Sequence, residues 1–271
     1  MPATATLAMN DGHAIPAIGF GTYLVPNDDA ARITREALEI GYALVDTAAF
    51  YGNETGVADG LGGRDDIFVT TKLWRENLGY ESALREFDIS LGKLGRDSVD
   101  LYLIHWPMPS LGDKYVETWK ALVRLREEGR AKSIGVSNFG ADHLRAIIDA
   151  TGIVPAVNQV ELHPGFQQRD LRAFHAEHGI LTQSWAPLGQ GTMLTHPAIV
   201  AIAEARGCSP AQAILAWHLH HGLAVIPKAS ARERLASNLA AGGVQLEATD
   251  IAAIDALDDA GGRLGPDPDK L

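Results

Sequence analysis

Residues 43–51 read Ala-Leu-Val-Asp-Thr-Ala-Ala-Phe-Tyr, and this stretch decides how the rest of the chain is interpreted. Its first half is a short apolar run, which is typical of a buried strand. Asp46 ends that run, and Tyr51 follows in the turn after it. A carboxylate and a phenol at the end of a buried strand predict a polar site at that edge of a sheet.

Three other strand-like runs also end in polar side chains. The residues at or directly after these ends are Lys72, His105, and the pair Ser137 and Asn138. Parallel strands bring their carboxyl ends to one edge of a sheet or one mouth of a barrel, where ligands bind. We therefore expect an acid, a phenol, an ammonium group and an imidazole to meet at one site.

Strand-like runs alternate with amphipathic helical segments along the chain. The predicted strands are 18–22, 43–46, 67–72, 99–104, 131–136, 156–160, 180–184 and 224–226. The predicted helices are 30–40, a short one from 53, 80–94, 114–128, 141–150, 168–177, 196–205, 210–220, 232–240 and 249–257. Asn27 or Asp28 is expected to cap the first helix. Eight strand-helix units without a break in composition predict an α/β fold, one (β/α)8 TIM barrel formed by a single domain over 1–271.

Two further features refine the predicted barrel. The segment 6–15 reads as a β-hairpin that turns at 10–12, so we expect an N-terminal hairpin cap as well as extra C-terminal helices. A doubly wound sheet is the structural alternative. It is disfavoured because the Gly-x-Gly-x-x-Gly phosphate turn is absent: Gly19 and Gly21 resemble its start, but position 24 is leucine.

The composition limits the partners of this protein. The formal net charge of −11 argues against a nucleic-acid or membrane partner. One cysteine, Cys208, excludes an internal disulfide and predicts a cytoplasmic location, and the N-terminus has no signal-peptide pattern. We predict no metal site, because His218, His220 and His221 lack neighbouring ligands at metal spacing. We expect a monomer.

The four polar groups at the strand ends suggest a proton relay. A phenol has a reference pKa of about 10, and a cation held against it lowers that pKa. Lys72 is the candidate cation, and it needs an anion such as Asp46 to stay charged in a barrel mouth. In this hypothesis Tyr51 protonates a substrate oxygen that His105 orients by a hydrogen bond.

The ordered motifs of the chain resemble those of the aldo-keto reductase superfamily, and in particular the bacterial branch that includes 2,5-diketo-D-gluconate reductases. The motifs are Asp46-Thr47-Ala48, Tyr51-Gly52-Asn53-Glu54, Thr71-Lys72-Leu73-Trp74, Leu103-Ile104-His105-Trp106-Pro107, Gly135-Val136-Ser137-Asn138-Phe139, Asn158-Gln159-Val160-Glu161-Leu162-His163-Pro164 and Ile226-Pro227-Lys228. The resemblance implies NADPH-dependent reduction of small aldehydes and ketones, with Tyr51 as the proton donor and Asp46, Lys72 and His105 completing a catalytic tetrad.

The resemblance also implies which residues bind the cofactor. Those expected to contact it are Gly21, Thr22, Asp46, Ser137, Asn138, Gln159, Trp185, Leu188, Gln190, Gly191, Lys228, Ser230, Arg234 and Asn238. Trp185 would lie on the nicotinamide ring, and Lys228 and Arg234 would bind the adenosine end. Relatives often have serine directly after the lysine, whereas this chain has Ala229 and then Ser230. This departure leaves NADH possible, with NADPH preferred.

An aromatic pocket is expected to bind the substrate. Its predicted lining is Tyr23, Phe50, Trp74, His105 and Trp106, with the loop through Met108 and Leu111 as a further wall. Such a wall suits aryl or apolar aldehydes and flat dicarbonyl compounds. Two other functions remain open: a barrel lyase that uses Lys72 as a Schiff-base nucleophile, and a non-catalytic dinucleotide-sensing protein.

Overall fold

The computed structural model describes residues 5–259 and 261–271; the predicted domain span also includes 1–4 and 260, which lie outside the described residues. Its strands are β1 (Thr6–Ala8), β2 (Ala14–Pro16), β3 (Phe20–Gly21), β4 (Leu44–Asp46), β5 (Phe68–Leu73), β6 (Val99–Ile104), β7 (Ala131–Ser137), β8 (Val157–Glu161), β9 (Leu181–Trp185) and β10 (Ala224–Val225). The last eight form one parallel sheet in the order β10-β9-β8-β7-β6-β5-β4-β3.

The two edges of this sheet meet and close it into a barrel. Ile18 forms a parallel bridge with Val225, and the Gly19 amide donates to the Val225 carbonyl over 2.8 Å. Glycine is required at this junction because a Cβ on Gly21 would lie 2.7 Å from the carbonyl oxygen of Ile226. The predicted (β/α)8 barrel is confirmed, and its first and last strands are shorter than expected.

Helices cover the outside of the barrel. They are α1 (Asn27–Ile40), α2 (Glu54–Leu61), α3 (Tyr80–Leu94), α4 (Lys114–Glu127), α5 (Ala141–Thr151), α6 (Arg169–His178), α7 (Pro197–Arg206), α8 (Pro210–His220), α9 (Arg232–Leu239) and α10 (Ala248–Asp255). The buried face of α3 includes Phe87, which packs on Tyr102 of β6 with ring centroids 4.6 Å apart. None of the described helices is long and apolar enough to cross a bilayer.

The predicted cap of the first helix is wrong. Pro26 occupies the cap position, and within the described part of the chain no side chain bonds the free amides there. Asn27 is already helical, and its Oδ1 accepts instead from the Gly56 amide over 3.0 Å and from the Thr55 hydroxyl over 2.8 Å. The side chain therefore ties α2 to α1 rather than capping α1.

The N-terminal hairpin covers the bottom of the barrel, as predicted. β1 and β2 pair antiparallel, and Ile15 is fully buried against Leu44, Leu101 and Leu103 inside the barrel. These contacts fill the end of the barrel where the strands begin. Ligands therefore approach from the other end, where the strands finish.

A buried histidine links the stability of the barrel to pH. His175 of α6 hydrogen-bonds Asn158 and Thr182 through its two ring nitrogens, at 2.9 and 2.8 Å. Burial lowers its pKa from 6.5 to about 3. Because the folded state binds this proton more weakly than the unfolded state, the stabilisation is complete above pH 6.5 and is lost as the pH falls below that value.

We expect His175 to contribute about 2 kcal/mol less to the free energy of unfolding at about pH 5 than at about pH 8. Urea unfolding at both pH values measures the loss. A His175→Gln variant should lose less stability over the same interval, because its side chain does not titrate. An identical pH dependence in the two proteins would contradict this assignment.

Candidate active site

The strand register brings the predicted catalytic residues to one mouth of the barrel. Asp46 ends β4, Lys72 lies near the end of β5, and His105 directly follows β6. Across the sheet, Ser137 of β7 pairs with Gln159 of β8. These ends open into a cleft of about 1040 Å³, which is large enough for a dinucleotide and a small substrate.

Lys72 lies at the centre of a hydrogen-bonded cluster. Its ammonium donates to Asp46 Oδ1 over 2.5 Å, to the Thr47 carbonyl over 2.9 Å and to the Tyr51 hydroxyl over 3.4 Å. Gln159 Nε2 donates to the other carboxylate oxygen of Asp46 over 2.8 Å. The relay predicted from the sequence, in which Asp46 holds Lys72 and Lys72 reaches Tyr51, is therefore present as geometry.

The electrostatics of this cluster differ from the prediction in one respect. Burial raises the pKa of Asp46 and lowers that of Lys72, while their salt bridge opposes both shifts. Burial also raises the pKa of the Tyr51 phenol well above its usual value, and the charge of Asp46 adds to the rise. The prediction that Lys72 lowers this pKa is wrong, because burial of the phenol and the negative charge of Asp46 both raise it. Tyr51 thus keeps its proton at neutral pH.

His105 lies beside Tyr51 and is also uncharged. Burial lowers its pKa well below the usual value, and the positive charge of Lys72 lowers it further. The ring centroid of His105 is 5.7 Å from that of Tyr51 and 5.2 Å from that of Trp74. A neutral imidazole in this position can donate one N–H to an oxygen atom held next to the phenol.

Aromatic side chains form the wall around these groups. Phe50 stacks on Trp74 with ring centroids 3.8 Å apart, and Tyr23 lies 5.2 Å from Tyr51. Trp106 also lines the cleft. All five residues predicted for substrate binding, His105 included, therefore lie on the cleft wall. Flat molecules fit between such rings.

Asn138 connects the catalytic end of the cleft to Trp185. Its amide donates to the His105 carbonyl over 2.9 Å and to Ser137 Oγ over 3.1 Å. Its oxygen accepts from the Trp185 indole N–H over 2.7 Å. The position of the Trp185 ring is thus fixed by a side chain that is itself bonded to the loop after β6.

Most of the predicted cofactor residues line the cleft. They are Gly21, Asp46, Asn138, Gln159, Trp185, Leu188, Gln190, Gly191, Lys228, Arg234 and Asn238. Gln190 and Gly191 have positive φ angles of 51° and 92°, which form a tight turn after β9.

Three predicted cofactor residues are not part of the cleft wall. Thr22 is buried and donates to the Asp46 carbonyl over 3.0 Å, and Ser137 is buried behind Asn138, where its hydroxyl donates to the Gln159 carbonyl over 2.8 Å. Ser230 is exposed outside the cleft, because Ala229 before it turns inward and is 4% exposed. Through these hydrogen bonds, Thr22 and Ser137 support Asp46 and Gln159 from the side away from the cleft.

The C-terminal tail forms a wall that the sequence did not reveal. Glu161 is buried at the end of β8 and accepts from the amides of Leu264 and Gly265 over 2.6 and 2.9 Å. Burial alone would raise the pKa of Glu161, but hydrogen bonds from His163 and from these amides hold it below its usual value. The anchored segment, with Pro266, lines the cleft. No local pattern predicts a contact between residues so far apart in sequence.

Other lining residues were also missed. Leu271 lines the cleft in place of Met108 and Leu111, and its carbonyl accepts from the Ser110 amide over 3.2 Å. Leu24, Arg75, Ser209 and Ala211 line it as well. A sequence signal existed for Ser209, since Ser209-Pro210-Ala211-Gln212 matches a helix capping box.

The side-chain positions also bear on a possible metal site and on the histidines at the end of α8. Among residues 5–259 and 261–271, no group of three or more His, Cys, Asp or Glu side chains could hold a metal ion. His218, singled out in the sequence, is fully buried, and burial lowers its pKa well below the usual value. His221 contacts Asp255 at 2.9 Å on the same side of α8.

Comparison with known proteins agrees with this geometry. The profile of the "Aldo/keto reductase family" matches residues 17–259. An aldo-keto reductase of Mycobacterium sp. (strain KMS) is 50% identical over 266 residues, covering 97% of this chain and 96% of the relative. The methylglyoxal reductase DkgA of Escherichia coli (strain K12) is 42% identical over 277 residues, covering 100% and 99%.

A solved structure gives the same result in three dimensions. The crystal structure of a Gox0644 mutant in complex with NADPH is 51% identical, with a TM-score of 0.97 and 99% of each chain covered. The resemblance to the branch that includes 2,5-diketo-D-gluconate reductases is also confirmed. On the profile match, the sequence identity and the shared barrel, the chain belongs to the aldo/keto reductase family.

Proposed function

We propose that this protein reduces small aldehydes and ketones to alcohols with NADPH. The proposal is supported by family membership, by the relative named a methylglyoxal reductase and by the solved relative that binds NADPH. The observation that carries it is the Tyr51 hydroxyl, 3.4 Å from the buried Lys72 ammonium and beside His105 on the wall of the large cleft.

The residues present fit the cofactor. Lys228 and Arg234 lie at one end of the cleft, and neither has an acidic side chain within 4.0 Å among the described residues. Two such cations suit the adenosine 2′-phosphate. At the other end, the second lone pair of Asn138 Oδ1 is free to accept from a carboxamide N–H. When bound, NADPH supplies a hydride to the carbonyl carbon.

The chain's own residues supply the proton and hold the substrate. Tyr51 donates its phenolic proton to the carbonyl oxygen, and the Lys72 ammonium stabilises the phenolate that remains. Neutral His105 donates a hydrogen bond to the same oxygen and orients it. The raised pKa of Tyr51 keeps the phenol protonated until an alkoxide-like oxygen develops beside it.

The geometry disfavours the lyase alternative. A Schiff-base nucleophile must be a neutral amine that reaches the substrate. Lys72 is fully buried, donates to three oxygen atoms and lies behind the cleft wall. Borohydride trapping of a substrate adduct on Lys72 would restore that alternative. Absence of turnover with every carbonyl compound tested would favour a dinucleotide-sensing protein.

A panel of aldehydes, ketones and dicarbonyl compounds, assayed with NADPH and with NADH, tests the proposal. We expect NADPH to be preferred because Lys228 and Arg234 can contact the 2′-phosphate. Lys228→Gln should raise KM for NADPH about 10-fold, the value of one charged hydrogen bond, and leave KM for NADH within about 2-fold. An equal change in KM for both cofactors would show that Lys228 does not bind the 2′-phosphate.

We further propose that the enzyme acts as a monomer in the cytoplasm. The single cysteine supports a reducing compartment. Four of the six exposed large apolar side chains among the described residues, Tyr23, Leu24, Phe50 and Leu264, line the cleft and are not on a separate face. Light scattering after size-exclusion chromatography tests the oligomeric state, and a dimer mass would refute that part of the proposal.

A further inference from the structure

The charges on the cleft wall run against those of the whole protein. The chain has a formal net charge of −11, yet the described lining contains the cations Arg75, Lys228 and Arg234. The acidic side chain among these lining residues is Asp46, and Lys72 neutralises it at 2.5 Å. The lining also includes the last residue, Leu271, with its main-chain carboxylate, but the cationic groups of the lining still outnumber the anionic ones, and such a balance attracts anions.

The proposed cofactor accounts for two of the three cations. Lys228 and Arg234 follow β10 and lie at the adenosine end of the cleft. Arg75 follows β5, which β4 and β3 separate from β10 around the barrel. Its neighbour Trp74 lies against His105, with ring centroids 5.2 Å apart. Arg75 is thus at the substrate end, where the dinucleotide phosphates do not explain it.

The guanidinium of Arg75 packs against Trp74 and has no anionic partner among the described residues. Its central carbon lies 5.0 Å from the centroid of the Trp74 ring, and the Trp74 ring stacks on Phe50. Arg75 is half-buried, and within 4.0 Å no acidic side chain of the described residues pairs with it. Its sequence neighbour Glu76 is exposed. Packing over the Trp74 ring restrains the guanidinium and leaves its N–H groups available to donate.

We propose that Arg75 binds an anionic group of the substrate, so that this enzyme favours carbonyl compounds that also carry a carboxylate. The aromatic pair Phe50 and Trp74 would contact a flat body between the two groups, which makes aromatic oxo acids the fitting class. The carbonyl end would lie at Tyr51 and His105, and the carboxylate would accept two N–H bonds from Arg75. This inference rests on the proposed reductase function.

Pairs of substrates with nearly the same shape separate the effect of the carboxylate charge from the effect of shape. We compare para- and meta-carboxybenzaldehyde with the corresponding formylbenzamides, which are neutral and have nearly the same shape. In Arg75→Gln, kcat/KM for the acid of at least one isomer should fall about 10- to 100-fold, mainly through KM. The value for the amides should stay within about 3-fold. The loss in kcat/KM for the acid should be smaller in Arg75→Lys than in Arg75→Gln, because lysine keeps the positive charge. Some loss should remain, because lysine lacks the paired N–H donors of the guanidinium.

A matched variant controls for net charge. Arg85 is exposed on α3 and does not line the cleft, so Arg85→Gln should leave both substrates unaffected. Equal losses for acid and amide in Arg75→Gln, or no loss with either isomer, would overturn the anion subsite. Failure of the wild-type enzyme to oxidise NADPH with any of these aldehydes would instead count against the reductase function itself.

Discussion

Replacing Tyr51 with phenylalanine should lower kcat about 10³-fold while the affinity for NADPH stays within about 2-fold of the wild-type value. The Tyr51→Phe side chain keeps the ring contacts with Tyr23 and His105 and lacks the one hydroxyl that Lys72 reaches. The developing alkoxide would then have no proton source in place. Steady-state reduction of a reactive aldehyde measures kcat, and quenching of protein fluorescence by NADPH measures binding.

Tyr23 provides the control for this experiment. It also lines the cleft, its ring lies 5.2 Å from that of Tyr51, and it is 50% exposed. Tyr23→Phe removes a hydroxyl from the same pocket and should change kcat by no more than a few-fold. Turnover close to wild type in Tyr51→Phe would remove the proposed proton donor. A comparable loss in both variants would point to general disruption of the pocket.

Replacing Lys72 with methionine should destabilise the protein and abolish reduction. The Asp46 carboxylate would remain buried at 1% exposure with Gln159 as its remaining hydrogen-bond donor. Breaking a buried ion pair by removing one partner costs about 3–5 kcal/mol. We expect a loss of that size in urea unfolding of Lys72→Met, together with a loss of at least about 100-fold in kcat.

The double variant separates stability from catalysis. Asp46→Asn combined with Lys72→Met leaves no unpaired charge, so most of the lost stability should return. Activity should not return, because the phenolate of Tyr51 would still lack its cation. If Lys72→Met unfolds at the same urea concentration as the wild-type protein, the salt bridge between Asp46 and Lys72 does not contribute to stability. Recovery of both properties in the double variant would show that Lys72 acts through folding alone.

The barrel and the meeting of Asp46, Lys72 and His105 at its mouth could be predicted for the same reason. Each of Asp46, Lys72 and His105 ends a buried apolar run, and parallel strands necessarily bring such ends together. The identities of the neighbours then follow from the order of the strands. The direction of the pKa shift of Tyr51 did not follow, because it depends on how deeply the phenol is buried and on how close Asp46 comes to Lys72.

The remaining errors concern residues whose orientation depends on distant contacts. Ser137 and Asn138 are adjacent, yet Asn138 reaches the cleft and Ser137 points into the wall behind it. Likewise, Ala229 faces inward and Ser230 outward. The tail contact of Glu161 with Leu264 joins two segments that carry no complementary pattern. Arg75 was missed because an arginine next to an aromatic residue is ordinary in sequence and gains meaning only from its lack of a partner.

The barrel closes through a few hydrogen bonds around Ile18 and Val225, whereas pairs such as β6 and β7 share a longer ladder. Both sides of this closure, Gly21 on one and Lys228 on the other, also line the cleft. A coenzyme lying across them would join the two sides, so that saturation with coenzyme and resistance to local opening would rise together. In a living cell, the supply of reduced dinucleotide would then influence how long each enzyme molecule survives degradation.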